Sequence, residues 1–156
     1  MDTVALKPRI VTMGEWTAVG LALDCPNYDC QGISELWQRL NAFLGRIDAP
    51  RDRYGISIPM PGGKGIHYWT AVRLMPGDAI PAGLDSIAIP SKRYAVWHFH
   101  DDPHRLPRAM GDIFSRRLLD AGLHHDPHWV ALEHYPAGFL DEQGGKLHCD
   151  LMVAIS

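Results

Sequence analysis

The 156-residue chain is long enough for one domain with a sizeable core. Its net charge of -3 and scattered Lys and Arg speak against the clustered basic surface that nucleic-acid binding needs. Hydrophobic residues make up 46%, no apolar run nears the roughly 20 residues of a membrane span, and Met1–Val11 lacks a signal-peptide core, so a soluble cytoplasmic protein is expected.

Pro8–Met13 is a short apolar run that reads as an opening strand. Thr17–Leu23 reads as a second, turning at Gly14-Glu15, and Asp24–Gln31 is rich in turn formers. From Gly32 to Ile47, residues Ile33, Leu36, Trp37, Leu40 and Leu44 fall on one helical face. That spacing predicts an amphipathic helix with Trp37 in the core. Arg53–Met60 alternates as a strand, Pro61–Gly65 is a turn without a phosphate-loop pattern, and His67–Met75 returns as a strand. On the returning strand Tyr68, Thr70, Val72 and Leu74 share one face, and His67, Trp69, Ala71 and Arg73 the other. Pro76–Gly83 is a loop. Two extended pieces, SIAIP and RYAVWHFH, follow within Leu84–Asp101. Pro103–Gly122 is a second helix with an apolar stripe through Ala109, Ile113 and Leu118, capped by Asp102 ahead of Pro103 and ended by Gly122. Pro136–Gly145 is a loop, and Lys146–Ile155 is the final strand.

The stretch that carries chemistry is HWVALEHYP, His128–Pro136. Read as a strand, it puts Trp129, Ala131, Glu133 and Tyr135 on one face, and Val130, Leu132 and His134 on the other. An acid between aromatic rings suits a flat cationic ligand, because desolvation makes a cation a better partner for it than water. The plainer alternative is a solvated edge glutamate, or one paired with an arginine.

The order of elements repeats. Strand, helix, strand, strand occurs once over about residues 8–75 and again over about 84–156, within one domain spanning 1–156. Neither unit could bury its helix and sheet face alone. The expected fold is α+β: an antiparallel sheet system with two helices on one face and a ligand cleft on the other. Sites between repeated units are common.

Several segments together resemble the GyrI-like, AraC-type effector-binding domain family. They are ISELWQRL (Ile33–Leu40), RYGIS (Arg53–Ser57), HYWTAVRL (His67–Leu74), LDSIAIPSKRYAVWHFHDDPHRLPRAM (Leu84–Met110) and LEHYP (Leu132–Pro136). The resemblance implies two strand–helix–strand–strand repeats and a site for hydrophobic, cationic, often aromatic compounds. It implies that Glu133 is the buried counter-charge, with Trp69, Trp97, Trp129 and Tyr135 lining the cleft, and Tyr68 if the strand register shifts by one residue. Some members hydrolyse strained alkylating toxins with the same glutamate, and the gyrase-inhibitor branch acts on a protein partner. Many members carry a tyrosine in the second helix where this chain has Met110. No helix-turn-helix unit precedes the first strand, so direct DNA binding by this chain is not expected.

Other chemistry has less support. Eight of the nine histidines lie between His98 and His148, but no HExxH or paired CxxC pattern appears, so neither a metal nor another cofactor is expected. Cys149 lacks a nucleophile signature. The odd cysteine count fits a reducing compartment, and the spacing admits a Cys25–Cys30 bridge without requiring one. A small-molecule-binding module is therefore the first reading. A hydrolase using Glu133 as general base or acid is the second. A partner-binding or homodimeric protein is the third.

Overall fold

The computed structural model describes residues 7–44, 51–129, 131–137, 140–141 and 145–156. The predicted helix end beyond Leu44, Val130 and half of the Pro136–Gly145 loop lie outside these residues. The chain opens with β1 (Arg9–Met13) and β2 (Trp16–Pro26), followed by α1 (Ile33–Leu44). Next come β3 (Arg53–Pro59), β4 (Gly65–Arg73), β5 (Asp85–Ile89) and β6 (Lys92–Asp101). The second helix starts as a 3-10 turn, Pro103–Arg105, and runs through α2 (Leu106–Asp112), a π turn over Ile113–Arg117, and α3 (Leu118–Asp120). Asp102 accepts a hydrogen bond from the His104 N–H at 3.2 Å, as its capping position predicts. Gly122, at φ +71°, closes the helix in a conformation that favours glycine. The chain ends with β7 (Ala131–Tyr135), the two-residue β8 (Leu140–Asp141) and β9 (Lys146–Ile155).

Eight strands form one antiparallel sheet in the order β1-β6-β9-β7-β3-β4-β2-β5, with β8 pairing β9. Read outward from the centre, β7-β9-β6 mirrors β3-β4-β2. The two repeats therefore meet along the β7–β3 seam, where Gly55 pairs Glu133.

β1 lies at one edge of the sheet and β2 beside the other edge, yet only Gly14 and Glu15 separate them. The sheet must curl to permit this. Its inner face encloses Trp16, Tyr54, Tyr94, Trp129, Leu132 and Met152, and the side chains of Val11 and Met13 pack on the same cluster. The rings of Trp16 and Tyr54 meet at 4.8 Å.

The outer face carries both helices. α1 buries Leu36, Leu40 and Leu44 against Val19, Leu21, Tyr68 and Val72. The second helix buries Ala109, Ile113 and Leu118 against Trp97, Tyr135, Cys149 and Val153. Each fully buried leucine here contributes about 2–3 kcal/mol. Trp37, on the edge of the α1 stripe, packs against both clusters and so bridges the two halves. Among the described residues no helix is long and apolar enough to cross a membrane.

Cys25 and Cys30 are joined as a disulfide, leaving Cys149 as the free cysteine. With that pair formed, the odd cysteine count no longer speaks for a reducing compartment.

Candidate functional site

Alternation along β7 sends Glu133, Ala131 and Tyr135 to the helix-bearing face, and Leu132 and His134 into the curled inner face. Glu133 thus sits at the seam of the two repeats, on the face that carries the helices. Its carboxylate accepts two tyrosine hydroxyls on the same oxygen, Oε1. Tyr135 donates from two residues along β7 at 2.5 Å, and Tyr68 from β4 at 3.1 Å. The Trp37 ring meets Tyr135 edge-on, with centroids 5.5 Å apart and planes at 83°.

Gly55 makes this cluster possible. A Cβ added there would lie 2.4 Å from the Tyr68 hydroxyl and 2.7 Å from Glu133 Oε1. The glycine is required for space, since its backbone runs as ordinary strand.

The electrostatics follow from this packing. Glu133 keeps partial solvent contact but is densely surrounded by protein, and burial raises its pKa above the usual carboxylate value. The two tyrosine hydrogen bonds work the other way, stabilising the charged form. Burial, with the nearby carboxylate, pushes Tyr68 and Tyr135 well above the usual phenol range, so both remain donors. The same combination raises the Cys149 thiol, which keeps it neutral and a poor nucleophile. Among the described residues no Lys, Arg or His is paired with Glu133. Glu133 is thus a half-open, partly desolvated carboxylate with aromatic neighbours and no counter-ion among those residues.

The structure brings Tyr68 and Tyr135 to Glu133. Tyr68 does this from the face that alternation assigns it, without a register shift. Trp97 lies on the same side of the sheet, two strands away across Leu151, wholly buried under the second helix. Trp69 and Trp129 belong to the inner face. For Trp129 the shared-face expectation fails because the strand begins only at Ala131. The preceding residues turn: the Trp129 N–H donates to the Asp126 carbonyl, and the Asp126 carboxylate accepts the His128 N–H. The alternation that places Glu133 does not extend back to Trp129.

Glu133 does not lie on the helix-free face, where the cleft is expected. The glutamate cluster lies on the face that carries the helices. The opposite face does hold a cavity of about 210 Å³, lined by Arg9, Met13, Tyr54, Val96, His134 and Asp150, but no residue of the Glu133 cluster borders it. His98, His100 and His148 gather on that inner side too, where His100 and His148 stack at 3.9 Å and His98 pairs with Asp150. Among the described residues no three potential ligands are placed to hold a metal.

Sequence reasoning misses Gly55, and it places Trp37 in the core, where the structure packs it against both clusters, without revealing its ring contact with Tyr135. An isolated glycine inside the strand RYGIS is a readable signal of close approach. Trp37 gives no comparable signal, because a helical stripe does not reveal where two helices part.

Comparison with known proteins follows the same lines. A model of the GyrI-like small molecule binding domain matches residues 6–155. The transcriptional regulator BrlR of Pseudomonas aeruginosa is 26% identical over 127 residues, which is 79% of this chain and 46% of the regulator. The chain thus spans about half the length of that relative. The structure of SAV2435 bound to tetraphenylphosphonium is similar with a TM-score of 0.72 at 20% identity, covering 96% of this chain and 94% of that one. An integron cassette protein from the mobile metagenome of Vibrio cholerae gives a TM-score of 0.68 at 10% identity, covering 99% of this chain and 100% of that one. At these identities the structural likeness carries the fold alone.

Proposed function

The chain belongs to the family of GyrI-like small molecule binding domains, and from the setting of Glu133 we propose that its ligands are lipophilic, aromatic cations. The observation that carries this is the partly desolvated carboxylate, held by two hydroxyl donors with no cationic side chain against it among the described residues. A cation with a poorly hydrated charge loses little on leaving water and gains an unscreened partner. Tyr135, Tyr68 and Trp37 supply ring faces and edges around it, with Trp97 behind. The role that fits is sensing or sequestering such compounds. That SAV2435 is bound to tetraphenylphosphonium supports this choice of ligand.

The test is a tryptophan-quenching and thermal-shift titration with tetraphenylphosphonium and with neutral triphenylphosphine oxide, followed by mass spectrometry of the recovered ligand. The cation should bind and stabilise, the neutral compound should do so far less, and both should return intact. Equal binding of the two would overturn the proposal. A reaction product would move Glu133 to the role of general acid or base in a hydrolase.

The tyrosines should tune the site. Tyr135→Phe removes a donor to Glu133 Oε1, so the carboxyl pKa should rise further. The binding curve for tetraphenylphosphonium against pH should then shift to higher pH, with the high-pH plateau retained. An unshifted curve would show that Tyr135 serves packing alone.

A further inference from the structure

We propose that Thr70 is a second ligand-contacting residue of this site, and that it favours cations bearing N–H donors, such as amidinium and protonated amine groups, over quaternary ones. The proposal rests on the reading of Glu133 as the ligand's counter-charge.

Thr70 is wholly buried on β4, and its hydroxyl has no hydrogen-bond partner among the described residues. Burying a hydroxyl without a partner is unfavourable, and native interiors mostly avoid it. Its position gives it a use. Thr70 pairs directly with Gly55, and Gly55 pairs directly with Glu133. The three form one row across the sheet, with their side-chain positions on the same face. Because Gly55 has no side chain, nothing on β3 separates Thr70 from the carboxylate in that row. Directly opposed Cβ positions lie about 5 Å apart. The Thr70 side chain therefore starts about one strand spacing from the notch that the Tyr68 hydroxyl and Glu133 Oε1 occupy. Both tyrosines bond to Oε1, and no hydrogen bond to Oε2 is formed by the described residues.

A ligand with several N–H donors can use this row. One N–H donates to the glutamate as the Tyr68 hydroxyl gives way. Another donates to the oxygen of Thr70. A quaternary cation offers Glu133 its charge and has nothing to offer Thr70. No covalent bond is made or broken in this step; it is recognition of a donor by an acceptor that has no partner among the described residues.

The experiment compares two probes on the intact protein. One is the fluorescent aryl-diamidine 4′,6-diamidino-2-phenylindole. The other is tetraphenylphosphonium. Thr70→Val keeps the shape and removes the hydroxyl. It should weaken the amidine about tenfold, as expected for one lost hydrogen bond to a charged donor, and leave the phosphonium within about twofold. Thr70→Ser, which keeps an acceptor, should retain amidine affinity, and it serves as the comparison if the valine variant does not fold. Equal changes for both probes, or no change for the amidine, would overturn the role of Thr70. Loss of phosphonium binding in Glu133→Gln with an unchanged Thr70 result would leave the glutamate reading standing alone. Failure of the wild type to bind either probe would remove both.

Discussion

Replacing Glu133 with glutamine is expected to stabilise the ligand-free protein at neutral pH while weakening a lipophilic cation about 100-fold or more. The two effects share one cause. Burial raises the Glu133 pKa in the folded state. A carboxyl whose folded pKa lies above its unfolded value contributes stability below the unfolded pKa, near 4.5, and loses it as pH rises through the folded pKa. At neutral pH the ionised carboxylate therefore costs the ligand-free fold. Glutamine keeps the shape and can still accept the two tyrosine hydroxyls without carrying that charge. The same change leaves a bound cation without its counter-charge, and disrupting a buried ion pair costs about 3 kcal/mol or more, roughly 100-fold in affinity. Melting temperature should rise and affinity fall in one variant. A fall in both would mean that Glu133 is a structural residue, held by partners that the variant loses.

The second large effect is expected at Gly55. Gly55→Ala puts a methyl group 2.4 Å from the Tyr68 hydroxyl, 2.7 Å from Glu133 Oε1 and 3.1 Å from Glu133 Cδ. Nothing is strained in the backbone, so the whole effect is crowding. Overpacking of this kind costs about 1–3 kcal/mol. The groups that must move are the carboxylate and its donor, so cation affinity should fall at least tenfold. Gly111→Ala is the matched control, because it lies within α2 with open space around its added methyl. There alanine should stabilise by about 0.5–1 kcal/mol and leave affinity unchanged. Denaturant midpoints and a phosphonium titration on both variants decide the matter. If Gly55→Ala behaves like Gly111→Ala, the notch is not part of the site.

Much of this is legible in the sequence. Periodicities of two and 3.6 place the strands and both helices, and the repeated order of elements implies a seam where two halves join. Alternation puts Glu133 and Tyr135 on one face and Tyr68 apart from Trp69, all of which the structure shows. Three things are not legible, each for a physical reason. Alternation holds only while the backbone stays extended, and the turn at Asp126–Trp129 breaks it, so Trp129 falls on the other side. A pattern says which residues share a face but not which face the helices cover, and here they cover the one with the acid. Finally, the curl of the sheet gives the inner face a core of its own around Trp16, Tyr54 and Tyr94, which local sequence does not announce. The resemblance of the segments around Arg53–Ser57 and Leu132–Pro136 to one family carried the assignment of Glu133, and a family model covers residues 6–155.

The most direct test of the glutamate's role is the affinity of tetraphenylphosphonium measured from acid to neutral pH, for the wild type and Glu133→Gln. The probe's charge is permanent, so any pH dependence belongs to the protein. The wild type should bind more tightly as pH rises through the raised pKa of Glu133 and then level off, while the glutamine variant should stay weak and nearly flat. Coincident curves for the two proteins would contradict the account, because the cation would then be binding without the carboxylate.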